Sequence, residues 1–140
     1  MATTATPIFP QTITNSFATI VDTDVSGLKT VYTAGANGSQ LNKITVTNTD
    51  PTTSYNLNWW VTNGGTDYLI GQTYISAGAG SPSIPAYDLL LDNISFFTSS
   101  LDACGNPQIH LAVGSALRVN CTTTVGTGYT ITVFAQGGNF

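Results

Sequence analysis

Glutamate is absent from the 140 residues and charge of either sign is scarce: seven aspartates stand against Lys29, Lys43 and Arg118, giving a formal net charge of −4. Three scattered cations cannot neutralise a run of phosphates, so nucleic acid is not an expected partner. His110 is the only histidine, which rules out a multi-histidine metal site. The two cysteines, Cys104 and Cys121, have neither zinc-ribbon nor CxxC redox spacing. No apolar run approaches the roughly 20 residues that span a bilayer. The opening MATTATPIFP lacks the basic start and apolar run of a secretory signal. The expectation is a soluble protein made in the cytoplasm, with no membrane partner.

What remains is a folding composition. Hydrophobic residues make up 41% and charged residues 7%, far from the charge-rich balance of disordered chains. A chain of this length buries roughly two-thirds of its unfolded surface, so one domain needs no metal or disulfide staple. Threonine and aromatics favour pleated strands. Short β-compatible segments recur between Gly, Pro, Asn and Asp, and no helical apolar stripe is present. The sequence predicts an all-β fold: a single antiparallel β-sandwich or related β-barrel over residues 11–140, preceded by an extended arm at 1–10.

Particular segments carry this expectation. In NLNWWVT, Leu57, Trp59 and Val61 share one face, while Asn56, Asn58, Trp60 and Thr62 share the other. Ile109, Leu111 and Val113 alternate with Gln108 and His110; Leu117, Val119 and Cys121 alternate with Arg118 and Asn120. The GSA between them suggests a hairpin. Tyr129, Ile131 and Val133 form another inward set, and further strands are expected near Thr12 to Val21, Leu41 to Asn48 and Asp67 to Ile75. Asn63-Gly64-Gly65 is a hairpin turn. The Gly- and Pro-rich SAGAGSPSIPAYDLLLDNISFF predicts a long excursion with a short helical turn near Tyr87 to Asn93.

Chemistry is hard to find. Gly35-Ala36-Asn37-Gly38-Ser39-Gln40 has no following lysine and precedes a strand instead of opening a helix, so it turns the chain and does not cradle a phosphate. His110 sits opposite the core residues, and no Gly-x-Ser-x-Gly elbow accompanies it. Asp22 and Asp24 lack the later ligands of a calcium loop. Asp88 and Asp92 suit helix capping as well as acid/base work. Reduced thiols are expected, although a hairpin at Gly114 and Ser115 would bring Cys121 near Gln108 and make a bridge to Cys104 conceivable. Asn37-Gly38-Ser39, Asn93-Ile94-Ser95 and Asn120-Cys121-Thr122 match the glycosylation sequon, but without a secretory signal they read as turn and strand residues. No enzyme activity, cofactor or metal is expected. Trp60, among Asn58 and Thr62, suits a sugar platform, a protein interface or a loop cover.

Read with LIGQTYISAGAG, IHLAVGSALRVN and the terminal FAQGGNF, the loop and strand YTAGANGSQLNKITVTN resembles the capsid decoration, or cement, proteins of tailed bacteriophages. The resemblance runs from about Thr30 to Phe140 as an ordered succession of strand and turn patterns. It implies a non-enzymatic β-sandwich bound to the outside of an icosahedral head, with the major capsid protein as partner and a homotrimer as the assembly. An interface is then expected at Trp60 and along the arm, at Ala2, Ile8, Phe9 and Pro10; Pro7 and Pro10 restrict regular pairing within that arm. Two other classes share the pattern. A head or tail fibre module or adhesin would bind host-surface glycans through Trp60, Tyr68 and Tyr74. A tail-tube or head-completion protein would build a ring or fill a unique vertex.

Overall fold

Alternation in TITNSFATIV and TITVFAQ lays down the first layer. A computed structural model describes residues 10–92 and 100–140. In it β1 (Thr12–Val21) and β10 (Thr130–Asn139) run antiparallel, with Phe17 opposite Phe134. Ala18, Ile20, Ile131, Val133 and Ala135 turn inward and are buried. On the other side of β10 lies β3 (Ser39–Asn48), which buries Leu41, Ile44 and Val46. Beyond β3 the sheet divides. The short β6 (Tyr87–Asp88) pairs with one end of β3; β8 (Pro107–Leu111) pairs with the other end and carries β7 (Ser100–Leu101).

The second layer is a sheet ordered β2 (Lys29–Thr33), β9 (Ala116–Cys121), β4 (Tyr55–Asn63), β5 (Thr66–Ile75). The two open antiparallel sheets face each other as an all-β sandwich, with no closed barrel. Trp59 and Tyr32 are the largest fully buried side chains between them. The indole N–H of Trp59 donates to Thr73 Oγ1 at 2.9 Å, which removes the cost of an unpaired donor in the core. One helical turn, α1 (Leu89–Asp92), buries Leu89 and Leu90 after β6. It falls inside the expected helical stretch, whose last residue, Asn93, lies outside the described residues.

Strand β2 is absent from the sequence reading for a physical reason. Val31 is an extra residue between Thr30, paired with Arg118, and Tyr32, paired with Leu117. This bulge buries both Val31 and Tyr32 and erases the alternation on which strand recognition depends. Two inward assignments also fail at strand ends. Val113 is 59% exposed and Tyr129 37% exposed, each lying just beyond its strand.

The expected β8–β9 hairpin does not form. β8 belongs to the first sheet and β9 to the second, so residues 112–115 arch across the core edge. Ser115 N–H donates to Ala112 O at 3.1 Å, and Gly114 has φ 76°. Only one central residue of this turn is left-handed. At the real hairpin between β4 and β5, both Gly64 (φ 59°) and Gly65 (φ 82°) are, which matches the twist of paired strands. The arch also removes the geometry behind a Cys104–Cys121 bridge: Cys121 is buried opposite Leu57 in the second sheet, Cys104 is exposed, and both are free thiols. A thiol reagent should therefore modify one cysteine in the native protein and the second only after unfolding; rapid labelling of both would contradict this packing.

Adjacent tryptophans have opposite fates. Replacing Trp59 with Ala should cost about 3–5 kcal/mol through lost burial and a residual cavity. Trp60→Ala should cost clearly less. Urea titration of the two variants measures the difference, and equal losses would contradict the inward assignment of Trp59.

Candidate interaction surfaces

The expected interface residues do not come together. Ala2, Ile8 and Phe9 lie outside the described residues. Pro10 is exposed and lies directly on Gly138, beside the start of β1, leaving no room for a side chain on that glycine. Trp60 is half-buried on the outer side of β4, in the other sheet. The sandwich interior separates the two.

On the outer face of the second sheet, cross-strand pairing sets Trp60 beside Arg118 of β9 and Leu69 of β5. The indole N–H of Trp60 donates to Asn120 Oδ1 at 2.9 Å, and Asn120 Nδ2 donates to Ser26 O at 2.9 Å. The ring is thereby pinned to the β9 strand and to the loop before β2. Along the same face, Arg118 Nη1 meets Asp67 Oδ2 at 2.7 Å, Thr62 also donates to Asp67, and Gln72 Nε2 donates to Asn58 Oδ1 at 2.6 Å. The Thr62 hydroxyl and then Arg118 hold the Asp67 carboxyl below the usual carboxylate range. The three aromatics proposed to stack sugars do not form one platform. Tyr68 stands opposite Val61, on the other side of the pleat from Trp60, and Tyr74 stands opposite Asn56, four residues from Trp60 and so about 13 Å along the strand.

The outer face of the first sheet is apolar at one edge. Ile13 is 79% and Phe17 65% exposed, and the Phe17 ring centroid lies 5.1 Å from that of Phe134. Near Pro10 a small cavity of about 160 Å³ is bounded by Ile13, Gln40, Asn42, Gln136, Gly137 and Gly138. At its floor, Asn42 is an extra residue of β3 between Leu41 and Lys43, and the close backbone of β3 leaves no space for a Cβ on Gly137.

Of the residues weighed for chemistry, Asp24, Asp88 and Asp92 hold local structure. Asp24 accepts from the Val21 N–H at 2.9 Å and pairs with Lys29 at 2.6 Å; Lys29 chiefly, and then the backbone bond, lower its pKa. Asp88 caps α1 by accepting from the N–H groups of Leu90 and Leu91, and Asp92 accepts from the Asp88 N–H. Asp102 folds its own turn, with the Asn106 side chain and backbone lowering its pKa. His110 is exposed opposite Gln40, with its ring 6.5 Å from that of Phe140. Among the described residues, no group of three His, Cys, Asp or Glu side chains could hold a metal. None of the described helices is long and apolar enough to cross a membrane.

The glycine loop is a turn that fastens several strands. Gly38 has φ 91°, and its N–H donates to Gly35 O at 3.0 Å. A Cβ on Gly35 would lie 2.8 Å from the Asn139 side chain, so glycine lets the loop close onto β10. Asn139 Oδ1 in turn accepts from Tyr32 Oη of β2 at 3.0 Å and from Ser39 Oγ of β3.

Asp50 escaped the sequence reading, although the Asn-Thr-Asp-Pro stretch carries an Asp-Pro turn signal. It is 2% exposed. Burial alone would raise its pKa, but donors from Thr52 N–H, Tyr55 Oη, Thr52 Oγ1 and Thr53 N–H outweigh that and push it well below the usual range. Burial and this carboxylate raise the pKa of Tyr55, whose oxygen also accepts from Gly126 N–H at 2.9 Å.

No protein-family model matches the chain, and the curated proteins contain no significant match to it.

The depressed carboxylates fix a pH dependence. A carboxyl with a lowered folded-state pKa adds stability above its unfolded value of about 3.9, and that contribution fades as pH falls towards the folded value. Asp50→Asn should lower the melting temperature at pH 7, and its gap from the parent should narrow below about pH 4. Thermal melts from pH 7 to 2 check this; a gap that widens on acidification would show the opposite sign.

Proposed function

We propose that this chain is a structural virion protein that decorates the outside of a bacteriophage capsid and bridges copies of the major capsid protein, acting as a homotrimer. The observation that carries the reading is the distribution of exposed apolar side chains over a weakly charged sandwich. Ile13 and Phe17 stand out from one sheet, and Leu69 and Tyr74 from the other. A bridging protein needs contact surfaces on more than one side, and aliphatic and aromatic patches of this kind supply them. Asp24, Asp50, Asp67, Asp88, Asp92 and Asp102 are committed to caps, turns and ion pairs.

Bridging explains how modest contacts hold a shell. Three linked subunits raise the effective concentration of each remaining contact, which slows dissociation. Binding only the assembled shell stabilises it against separated subunits by mass action. An arm at residues 1–10, as expected from the sequence, would add reach of up to roughly 3.3–3.6 Å per residue if extended.

A second reading has one observation in its favour. The Trp60 ring is held by Asn120 beside the Asn58–Gln72 amide pair, a combination of stacking surface and hydrogen-bonding groups that suits a sugar. Saturable glycan binding lost in Trp60→Ala would select that adhesin role.

The decisive measurement is copy number and position in the intact particle. Decoration requires copies on the outer surface in numbers comparable to the major capsid protein. A handful at a single vertex would reject it. Deleting residues 2–10 should preserve the fold and lower capsid occupancy, and unchanged occupancy would remove the arm from the mechanism.

A further inference from the structure

Every open sheet ends in strands with unpaired backbone N–H and C=O groups, which are templates for another strand. Three borders of this sandwich are blunted. The far border of the first sheet is divided between β6 and β7, each only 2 residues long. In the second sheet, β2 is bulged at Val31 and β5 at Ile70, and a bulge twists an edge away from a flat partner. Among the described residues, the remaining border, β1, has no such protection apart from Asp24, which takes the N–H of Val21 at its far end. It runs 10 residues, pairs with β10 from Thr12 to Val21 without a register shift, and contains no charged residue, proline or glycine.

We propose that β1 joins two copies of this chain, edge to edge and antiparallel, across a twofold axis at Asn15. The sequence of the strand is complementary to itself in this register. Ile13 meets Phe17 of the partner subunit, Thr14 meets Ser16 of the partner subunit, and Asn15 meets Asn15 of the partner subunit. Directly opposed residues of an antiparallel pair project to the same face. Both Ile–Phe pairs therefore fall on the outer side and extend the existing Phe17–Phe134 contact into one apolar stripe across the axis. Although the chain carries a net charge of −4, none of it lies on β1, so the two edges meet without like-charge repulsion.

The contact is small. Two strand edges and four exposed apolar side chains place it at the lower end of specific interfaces, so association should depend on concentration. Pairing of two copies through β1 requires no attachment to a shell. A threefold assembly through another face leaves β1 free to link one trimer to the next.

Cysteine pairing tests the register. In a Cys104→Ser background, which removes the exposed thiol, Asn15→Cys and Thr19→Cys each place one thiol on the outward, exposed side of β1. Opposed Cα atoms in such a pair lie about 4.5–5.5 Å apart, within disulfide range. Mild oxidation should yield covalent dimers of Asn15→Cys and not of Thr19→Cys, which faces Gln11 of the partner subunit. Phe17→Lys should weaken association of the otherwise unmodified protein by roughly tenfold or more in sedimentation, since it breaks both Ile–Phe pairs. Equal cross-linking at both positions, a single-chain mass at every concentration, or association unaffected by Phe17→Lys would overturn the proposal.

Discussion

The architecture depends on one constraint: successive strands repeatedly leave one sheet for the other, and each crossing exposes backbone groups at the rim of the core. The steps from β1 to β2, β2 to β3, β3 to β4, β5 to β6, β8 to β9 and β9 to β10 all change layer. Polar backbone at a core edge is costly unless it is paired. The side chains that pair it are short. Asp24 holds the first crossing, Ser39 and Asn139 the second, Asp50 the third, and Asp50 with Tyr55 reaches the last through Gly126. The Ser115 carbonyl, accepting from Ala34 N–H, ties the arch after β8 to the end of β2.

This constraint makes sense of the composition. Seven aspartates and no glutamate suit a molecule in which carboxylates fold back onto the backbone of their own turns. Asp24, Asp50, Asp88 and Asp102 all accept backbone N–H groups from residues two to four positions away. Glutamate, one methylene longer, fits such turns less well. The scarcity of charge thus reflects a structural use of the acids more than a signature of any ligand.

Much of the sandwich was legible because period-two alternation survives wherever a strand is regular, as in β1, β4 and β10. It failed where a bulge falls in a short strand. The bulge at Val31 hid the five-residue β2, whereas the longer β3 was legible despite the bulge at Asn42 that turns two successive residues outward. Alternation is also blind to which sheet a strand joins, because strands of either layer bury every second residue. That ambiguity produced the expected β8–β9 hairpin, and the turn between them discriminates through the backbone of Gly114, which the letters GSA do not express. The interaction surfaces were less legible still. Trp60 was recognisable from its polar neighbours, but Phe17 and Ile13 look like ordinary strand residues until β1 is known to be a border.

The glycine pair at the tip of β4 and β5 has a practical consequence. Neither Gly64 nor Gly65 has a heavy atom within 4 Å of where a Cβ would stand, and the tip lies at the end of two long paired strands. Foreign peptide spliced there would project into open solvent without displacing core side chains, provided flexible ends let the strands keep their pairing. The protein therefore carries a natural port for displayed cargo in its second sheet, away from the β1 border.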